Sequence, residues 1–304
     1  MREQSRSNSN KEAAASFWLR RFSRLFPAAA FWCLASVGIS FFTDSTLGSD
    51  PTKVALSAVA GIAGVSNLYW VQCVQNTASN CGSADFNGVT WSLSLEWQLY
   101  AVLTILTCIS GARKAVATML AISAVMSVLS APSFSYAWAL RMQAFSLGAL
   151  TFLLLRDGYA LPVIRLPRPW AWVALVSGVL LCIAAPMQLP QPFVLPVIAL
   201  GALLCLISSL TGRAYSSTAL AAPFLWLGQR SYSVYLCHLP MILVTREILS
   251  LTVGLEATSQ NVVLAISLAA CLICSCAELS YRLIEVPFQN MMRHRGEHQR
   301  RGFT

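Results

Sequence analysis

Charge is what this chain has least of. Asp, Glu, Lys and Arg make up 11% of its 304 residues, against roughly 25% in a typical soluble domain, and that shortage excludes an ordinary water-soluble globule. Acidic residues are the scarcer kind, 12 against 21 Lys and Arg. Histidine occurs three times, and only His238 lies in an apolar run, since His294 and His298 belong to the tail. No glycine-rich loop ends in Gly-Lys-Ser/Thr and no Gly-x-Gly-x-x-Gly stands between a strand and a helix, which argues against an ATP-driven pump. Met1 to Ser16 is polar and has no apolar core ending at a cleavage site, so it does not read as a secretory signal peptide. No internal repeat is evident, and no linker sets off a second folded domain; the longest polar connections are that leader and the loop from Cys73 to Thr90.

Hydrophobicity is what the chain has in excess, with 56% apolar residues and a mean hydropathy of +0.62. Apolar runs approaching the roughly 20 residues that cross a bilayer as a helix fall at 25–43, 92–110, 115–130, 138–155, 170–185, 194–211, 224–246 and 261–284. They predict an all-α, polytopic transmembrane helical bundle of about eight spans. A further run, 54–72, is rich in Ala, Gly and Ser and carries Asn67 and Gln72. Positive charge gathers in cytoplasmic loops, and that rule decides its fate. With eight spans and both termini cytoplasmic, all 21 Lys and Arg except Lys53, Arg141 and Arg246 fall inside. A ninth span at 54–72 would move Arg113, Lys114, Arg156, Arg165 and Arg168 to the wrong face, so this run reads as a re-entrant or surface helix on the outer side. The net charge of +9 follows from this arrangement. It implies attraction to anionic membrane lipid and not to nucleic acid. Three segments result: a polar cytoplasmic leader over 1–16, a membrane domain over 17–288 and a basic cytoplasmic tail over 289–304.

Eight of the ten cysteines lie in apolar helices, where Cys acts as a small hydrophobe. Cys271, Cys274 and Cys276 have no further ligand nearby and read as helix-contact residues, with no metal expected. Cys73 and Cys81 share the external loop, where an oxidising exterior would join them as a disulfide.

Four clusters carry chemistry. Arg21 and Arg24, three apart before the first span, share a helix face and either anchor the topology or grip phosphate groups. In Thr90 to Tyr100, TWSLSLEWQLY, Ser92 and Glu96 fall on one side of a helix. A carboxylate at the centre of such a helix costs about 2.5 to 3.5 kcal/mol on insertion scales, so it faces a cavity or a partner. Glu96 is expected roughly 7 Å below the outer edge. Arg141, at the outer start of a span, is a candidate partner for Glu96. In FLWLGQRSYSVYLCHLPM, Phe224 to Met241, His238 lies roughly 20 Å from the inner end of its helix, as a hydrogen-bonded core residue or a base. The closing Glu285, Val286, Pro287 reads as a helix end, Pro287 stopping or kinking the chain.

Taken in order, RRFSRLFP, TWSLSLEWQLY, RMQAFSLGAL, FLWLGQRSYSVYLCHLP and AELSYRLIEVPF resemble the acyltransferase 3 family of integral-membrane O-acyltransferases over about 17–288. The family usually has ten spans and a first helix bearing Arg or Lys followed eleven residues later by a catalytic His. Against that pattern the first two helices are expected to be missing here, through a misassigned start, a truncated gene or a shortened protein using another base. The resemblance implies transfer of an acyl group, most often acetyl, from acetyl-CoA to a hydroxyl of a carbohydrate or glycolipid acceptor, in a bacterial inner membrane. On that reading Arg21 and Arg24 hold the CoA phosphates, Glu96 and Arg141 order the acceptor or base, and Ser92, Tyr232 and His238 line the transfer path. Two other readings stay open: a transporter or exporter of a glycan precursor using Glu96, Arg141 and His238 as its path, and an inactive homologue acting as a scaffold.

Overall fold

The computed structural model describes residues 2–43, 50–77, 86–157, 167–210, 221–253 and 261–292. Among the described residues every regular element is helical: α1 (Arg2–Ser40), α2 (Pro51–Ile62), α3 (Ser66–Thr77), α4 (Thr90–Ser110), α5 (Ala112–Met126), α6 (Tyr136–Ala139), α7 (Gln143–Arg156), α8 (Arg168–Gln188), α9 (Val194–Leu210), α10 (Ala221–Val253) and α11 (Val262–Ser280), the last continuing through a π-helical turn, Tyr281–Glu285. Among the described residues six helices are long and apolar enough to cross a membrane. The runs at 115–130 and 194–211 form α5 and α9, of 15 and 17 residues, short of a straight crossing of about 20. The apolar window at 115–130 had included the turn that follows Met126. α10 is the most enclosed of the six, with 44% of its most apolar stretch buried, against 6% in α11. The helix that carries Arg230, Tyr232, Ser233, Tyr235 and His238 is therefore the one the protein itself surrounds.

The chain divides into two compact units, one formed by residues 1–96 and 225–304 and the other by 97–224. In the first, the run at 54–72 is two 12-residue helices broken at Gly64, whose φ of +72° suits glycine alone at low cost. Val65 N donates to Ala60 O at 2.9 Å and Gly64 N to Gly61 O at 3.2 Å, a Schellman closure of α2. The break lies against buried polar groups. Ser66 Oγ pairs with Thr90 Oγ1 at 2.7 Å, Ser66 N donates to Ser94 Oγ at 3.0 Å, and Asn87 Nδ2 donates to Ser57 Oγ at 3.1 Å and Val54 O at 3.2 Å. These bonds let non-helical backbone sit inside a membrane protein, where nothing else would satisfy it. A Cβ on Gly61 would come within 3.0 Å of Thr90 Oγ1, so α2 crosses the start of α4 closely. Val54, Phe86 and Leu243 form a buried apolar cluster beside this knot. Cys73 on α3 is disulfide-bonded; Cys81 lies outside the described residues.

In the second unit α8 and α9 pack through small residues, the usual means of bringing membrane helices close. A Cβ on Gly178 would stand 2.6 Å from Gly201 O and 2.7 Å from Cys205 Sγ, and one on Gly201 would stand 2.7 Å from Gly178 O and 2.8 Å from Cys182 Sγ. Ser208 Oγ ties the pair further by donating to Ala171 O at 2.7 Å. Cys182 and Cys205 are thus contact residues at this crossing. At the end the charge pattern assigns to the cytoplasm, Arg113 Nε donates to Asp157 Oδ2 at 3.0 Å. That bond, with a second from Arg156, holds the Asp157 carboxyl below its ordinary value. Its small contribution to stability is present above the unfolded carboxyl's pKa and is lost as pH falls through the depressed one.

Overpacking at the α8–α9 crossing should be costly. Gly178→Leu is expected to destabilise the purified protein by at least about 1 to 3 kcal/mol, seen as a lower thermal midpoint in detergent. Gly148→Ala, where an added Cβ meets nothing within 4 Å, should stay within about 1 kcal/mol of the parent or exceed it. Equal midpoints for the two variants would show that the crossing is not this close.

Candidate functional site

The polar residues of α10 fall on two faces because they recur at helical spacing. Trp226, Arg230, Ser233 and Cys237 step by three and four along one face towards α11; Tyr232, Tyr235 and His238 step by three along the other.

On the α11 face the centre is Glu278. Arg230 grips it with Nε and, at 3.2 Å, with Nη2, while Trp226 Nε1 donates at 3.0 Å and Arg282 Nε donates from one turn later. The Arg230 guanidinium also lies 5.0 Å over the Trp226 ring and 4.7 Å over that of Tyr281. Arg230 is held by a planar fork and two aromatic faces, contacts that lysine cannot reproduce. One turn further along, Ser233 donates to Glu285, and both are buried, at 0% and 3% exposure. Glu285 is not a helix end: the helix runs on to Met292. The π-helical turn just before Pro287 widens the coil where the proline ring would crowd a preceding carbonyl. Trp32 Nε1 of α1 donates to Ser280 Oγ at 3.1 Å, which brings α1 to the same place.

On the other face, Tyr235 is the hub. Its hydroxyl is 2.5 Å from Ser92 Oγ and donates to Val89 O at 2.8 Å; its backbone carbonyl accepts from His238 Nδ1 at 2.8 Å. A carbonyl oxygen can only accept, so the neutral imidazole carries its proton on Nδ1 and presents the Nε2 lone pair. Tyr232 is engaged elsewhere, donating to Leu25 O of α1 at 2.5 Å. Around it lie charges close enough to act on its phenol: Glu285, Glu96 and Arg24. The bonds of Tyr235 to Ser92 and Val89 fix where the start of α4 lies against α10.

Tyr235 is fourteen residues along the 33 of α10, about 21 Å from its start, so α4 begins beside the middle of α10. The turn before α4 is itself buried, Phe86 at 1% and Asn87 at 2%. Tyr232 therefore does not stand beside Ser92; Tyr235 does. Arg21 lies with its guanidinium 5.8 Å over the Phe17 ring, and Arg24 is exposed one residue before the carbonyl that Tyr232 binds. Arg141 belongs to the second unit, 4.4 Å over the Trp138 ring and donating to Trp138 O at 3.1 Å. The first unit thus gathers Ser92, Glu96, Tyr232, His238 and Arg24, and adds Tyr235, Ser233 and Glu285. Tyr235 was signalled by its place three residues before His238.

The acyltransferase domain family matches residues 7–278, a stretch that contains both faces of α10 and the paired segments of α1 and α4. The chain belongs to the acyltransferase 3 family. Among similar proteins, the putative membrane-bound transacylase BcsY of Komagataeibacter xylinus is 29% identical over 248 residues, 77% of this chain and 60% of the relative. The peptidoglycan O-acetyltransferase OatA of Listeria monocytogenes is 28% identical over 299 residues, 90% of this chain and 46% of the relative. The chain spans about half the length of the curated relatives it matches. No solved structure matches it significantly. Within this acyltransferase 3 domain the Tyr235 hydroxyl should join α4 to α10 energetically as well as spatially. Tyr235→Phe and Ser92→Ala are each expected to lower the thermal midpoint by the equivalent of about 1 kcal/mol, and the double variant to fall short of their sum by at least about 0.5 kcal/mol. Strict additivity would show that the two hydroxyls are not coupled.

Proposed function

We propose that this chain is a membrane O-acyltransferase that moves an acyl group, acetyl first of all, from acyl-CoA to a hydroxyl of a cell-surface carbohydrate or glycolipid in a bacterial inner membrane. Family membership and the similarity to a transacylase support the reaction class, and the similarity to a peptidoglycan O-acetyltransferase supports a glycan acceptor. The observation that carries the reading is the line Ser92, Tyr235, His238 inside bilayer-crossing helices, with His238 Nδ1 bonded to the Tyr235 carbonyl so that Nε2 is the ring nitrogen left for the acceptor.

In the proposed step the Nε2 of His238 takes the proton of the acceptor hydroxyl as its oxygen attacks the thioester carbonyl. The new C–O bond forms, the C–S bond breaks, and the proton passes to the leaving thiolate of CoA. Proton removal of this kind is worth about 10² to 10⁴ in rate. Ser92 and Tyr235 supply hydroxyls beside the histidine that can donate to the charge developing on the carbonyl oxygen, and Glu96 and Arg141 order the acceptor or the base. The donor is acetyl-CoA, with its phosphates at Arg21 and Arg24. Those residues fit a polyphosphate: Arg20, Arg21 and Arg24 lie within five positions, and Glu285, whose charge interacts with Arg24, offsets one cation and leaves the cluster net positive.

The test measures O-acetyl groups on surface polysaccharide in a host lacking the activity. His238→Ala and Arg141→Ala are each expected to lower O-acetylation at least about a hundredfold with unchanged protein in the membrane. Arg21→Ala should weaken use of the acyl donor, shifting the rate's dependence to higher acetyl-CoA concentration, and leave the maximal rate nearer the parent's. Full activity in His238→Ala would place the base elsewhere, and an unaltered acetyl-CoA dependence in Arg21→Ala would remove the donor site from this cluster.

A further inference from the structure

The proposed reaction uses Arg141, and one set of contacts on that guanidinium comes from within eight residues of it. Arg141 stands on the short non-helical link between α6 and α7, so no helix of its own restricts its long side chain, whose rotamer freedom is large. Three contacts with Trp138 do the restricting. The guanidinium carbon is 4.4 Å from the indole centroid, Nη1 donates to the Trp138 carbonyl at 3.1 Å, and the Arg141 backbone N–H points to the same carbonyl at 3.5 Å. Trp138 is fixed in turn. Ser135 Oγ caps its N–H at 3.2 Å, and its ring packs on Phe134 at 5.1 Å between centroids.

Phe134 holds this arrangement under strain. Its φ is +63°, the only positive value at a non-glycine among the described residues. A bulky side chain there is a genuine outlier, kept only where the surroundings over-determine it, and such outliers gather at functional sites. The strained turn sets the ring of Phe134 under Trp138, and Trp138 sets the plane and direction of the guanidinium. An interfacial aromatic belt asks for none of this, since a belt residue needs depth and no defined partner.

We propose that Trp138 is a positioning residue that aims Arg141 at its target in acyl transfer; this rests on the reading of Arg141 given above. The ring face of Trp, the best of the aromatic side chains for a cation, is the property that matters.

The experiment uses the complete protein in a host lacking the activity, with O-acetyl groups per unit of membrane protein as the readout and the thermal midpoint in detergent as a control. Trp138→Leu is expected to lower O-acetylation about five- to thirtyfold at an unchanged midpoint, and Trp138→Phe about threefold. Repeated in an Arg141→Lys background, where no planar guanidinium remains to be aimed, each change should cost less than about twofold further. Parent-level activity in Trp138→Leu, or the same loss in both backgrounds, overturns the proposal. Should Trp138→Leu fail to accumulate, the pair of Trp138→Phe measurements decides by the same criterion. Should Arg141→Lys show no activity, the proposal stands only if Trp138→Phe keeps at least a quarter of the parent's activity while Trp138→Leu does not. Full activity in Arg141→Ala defeats the reading of Arg141 itself, whereas an inactive Arg141→Ala with additive Trp138 variants defeats only the positioning role.

Discussion

A polar group in hydrocarbon has no water to fall back on, and α10 carries more such groups through the bilayer than any other helix of this protein. Arg230, Tyr232, Ser233, Tyr235 and His238 all find acceptors within the chain: two glutamates of the last helix, backbone carbonyls at Leu25, Val89 and Tyr235, and the Ser92 hydroxyl. That requirement draws α1, α4 and α11 around α10. The apolar surface does not do it, since lipid tails are as apolar as leucine and give helices no hydrophobic reason to meet. Hydrogen bonds and close contacts choose the neighbours here. The residues that hold the first unit together are also those best suited to proton movement.

Much of this was legible in the sequence. Low charge, long apolar runs and the bias of Lys and Arg indicated a helical membrane protein, and five ordered motifs pointed to the acyltransferase 3 family. The reading of 54–72 as something other than a span followed from its polar and small residues together with the charge pattern; its break into two helices at Gly64 was not foreseen. Ser92, Glu96 and His238 stood out because an ionisable or polar side chain in an apolar helix is costly. Burial was less legible. Hydropathy sees where an apolar run begins and not whether the turn before it is buried, as Phe86 and Asn87 are before α4.

Pairing was the least legible. Tyr232 and Tyr235 look alike in SYSVY, and only the rotation of α10 against α4 separates the tyrosine that meets Ser92 from the one that meets Leu25. Glu285 was obscured by its own sequence context, because Glu-x-Pro suggests the stop of a helix. A π-helical turn absorbs Pro287 and carries the carboxylate inward to Ser233. Residue spacing cannot reveal such a turn, since its widened coil departs from the 3.6-residue period that every facing argument assumes.

The crossing of α8 and α9 also limits how the protein can diverge. The obstacle beside Gly178 is the backbone carbonyl of Gly201 as well as a thiol, and the reverse holds at Gly201. No exchange of neighbouring side chains makes room next to a carbonyl. Cys182 and Cys205 press side-chain sulfur on the facing helix, so they can shrink to alanine or serine without moving either backbone. Drift at this interface is therefore directional: the thiols are free to be lost one at a time, whereas the glycines change only if the two helices part.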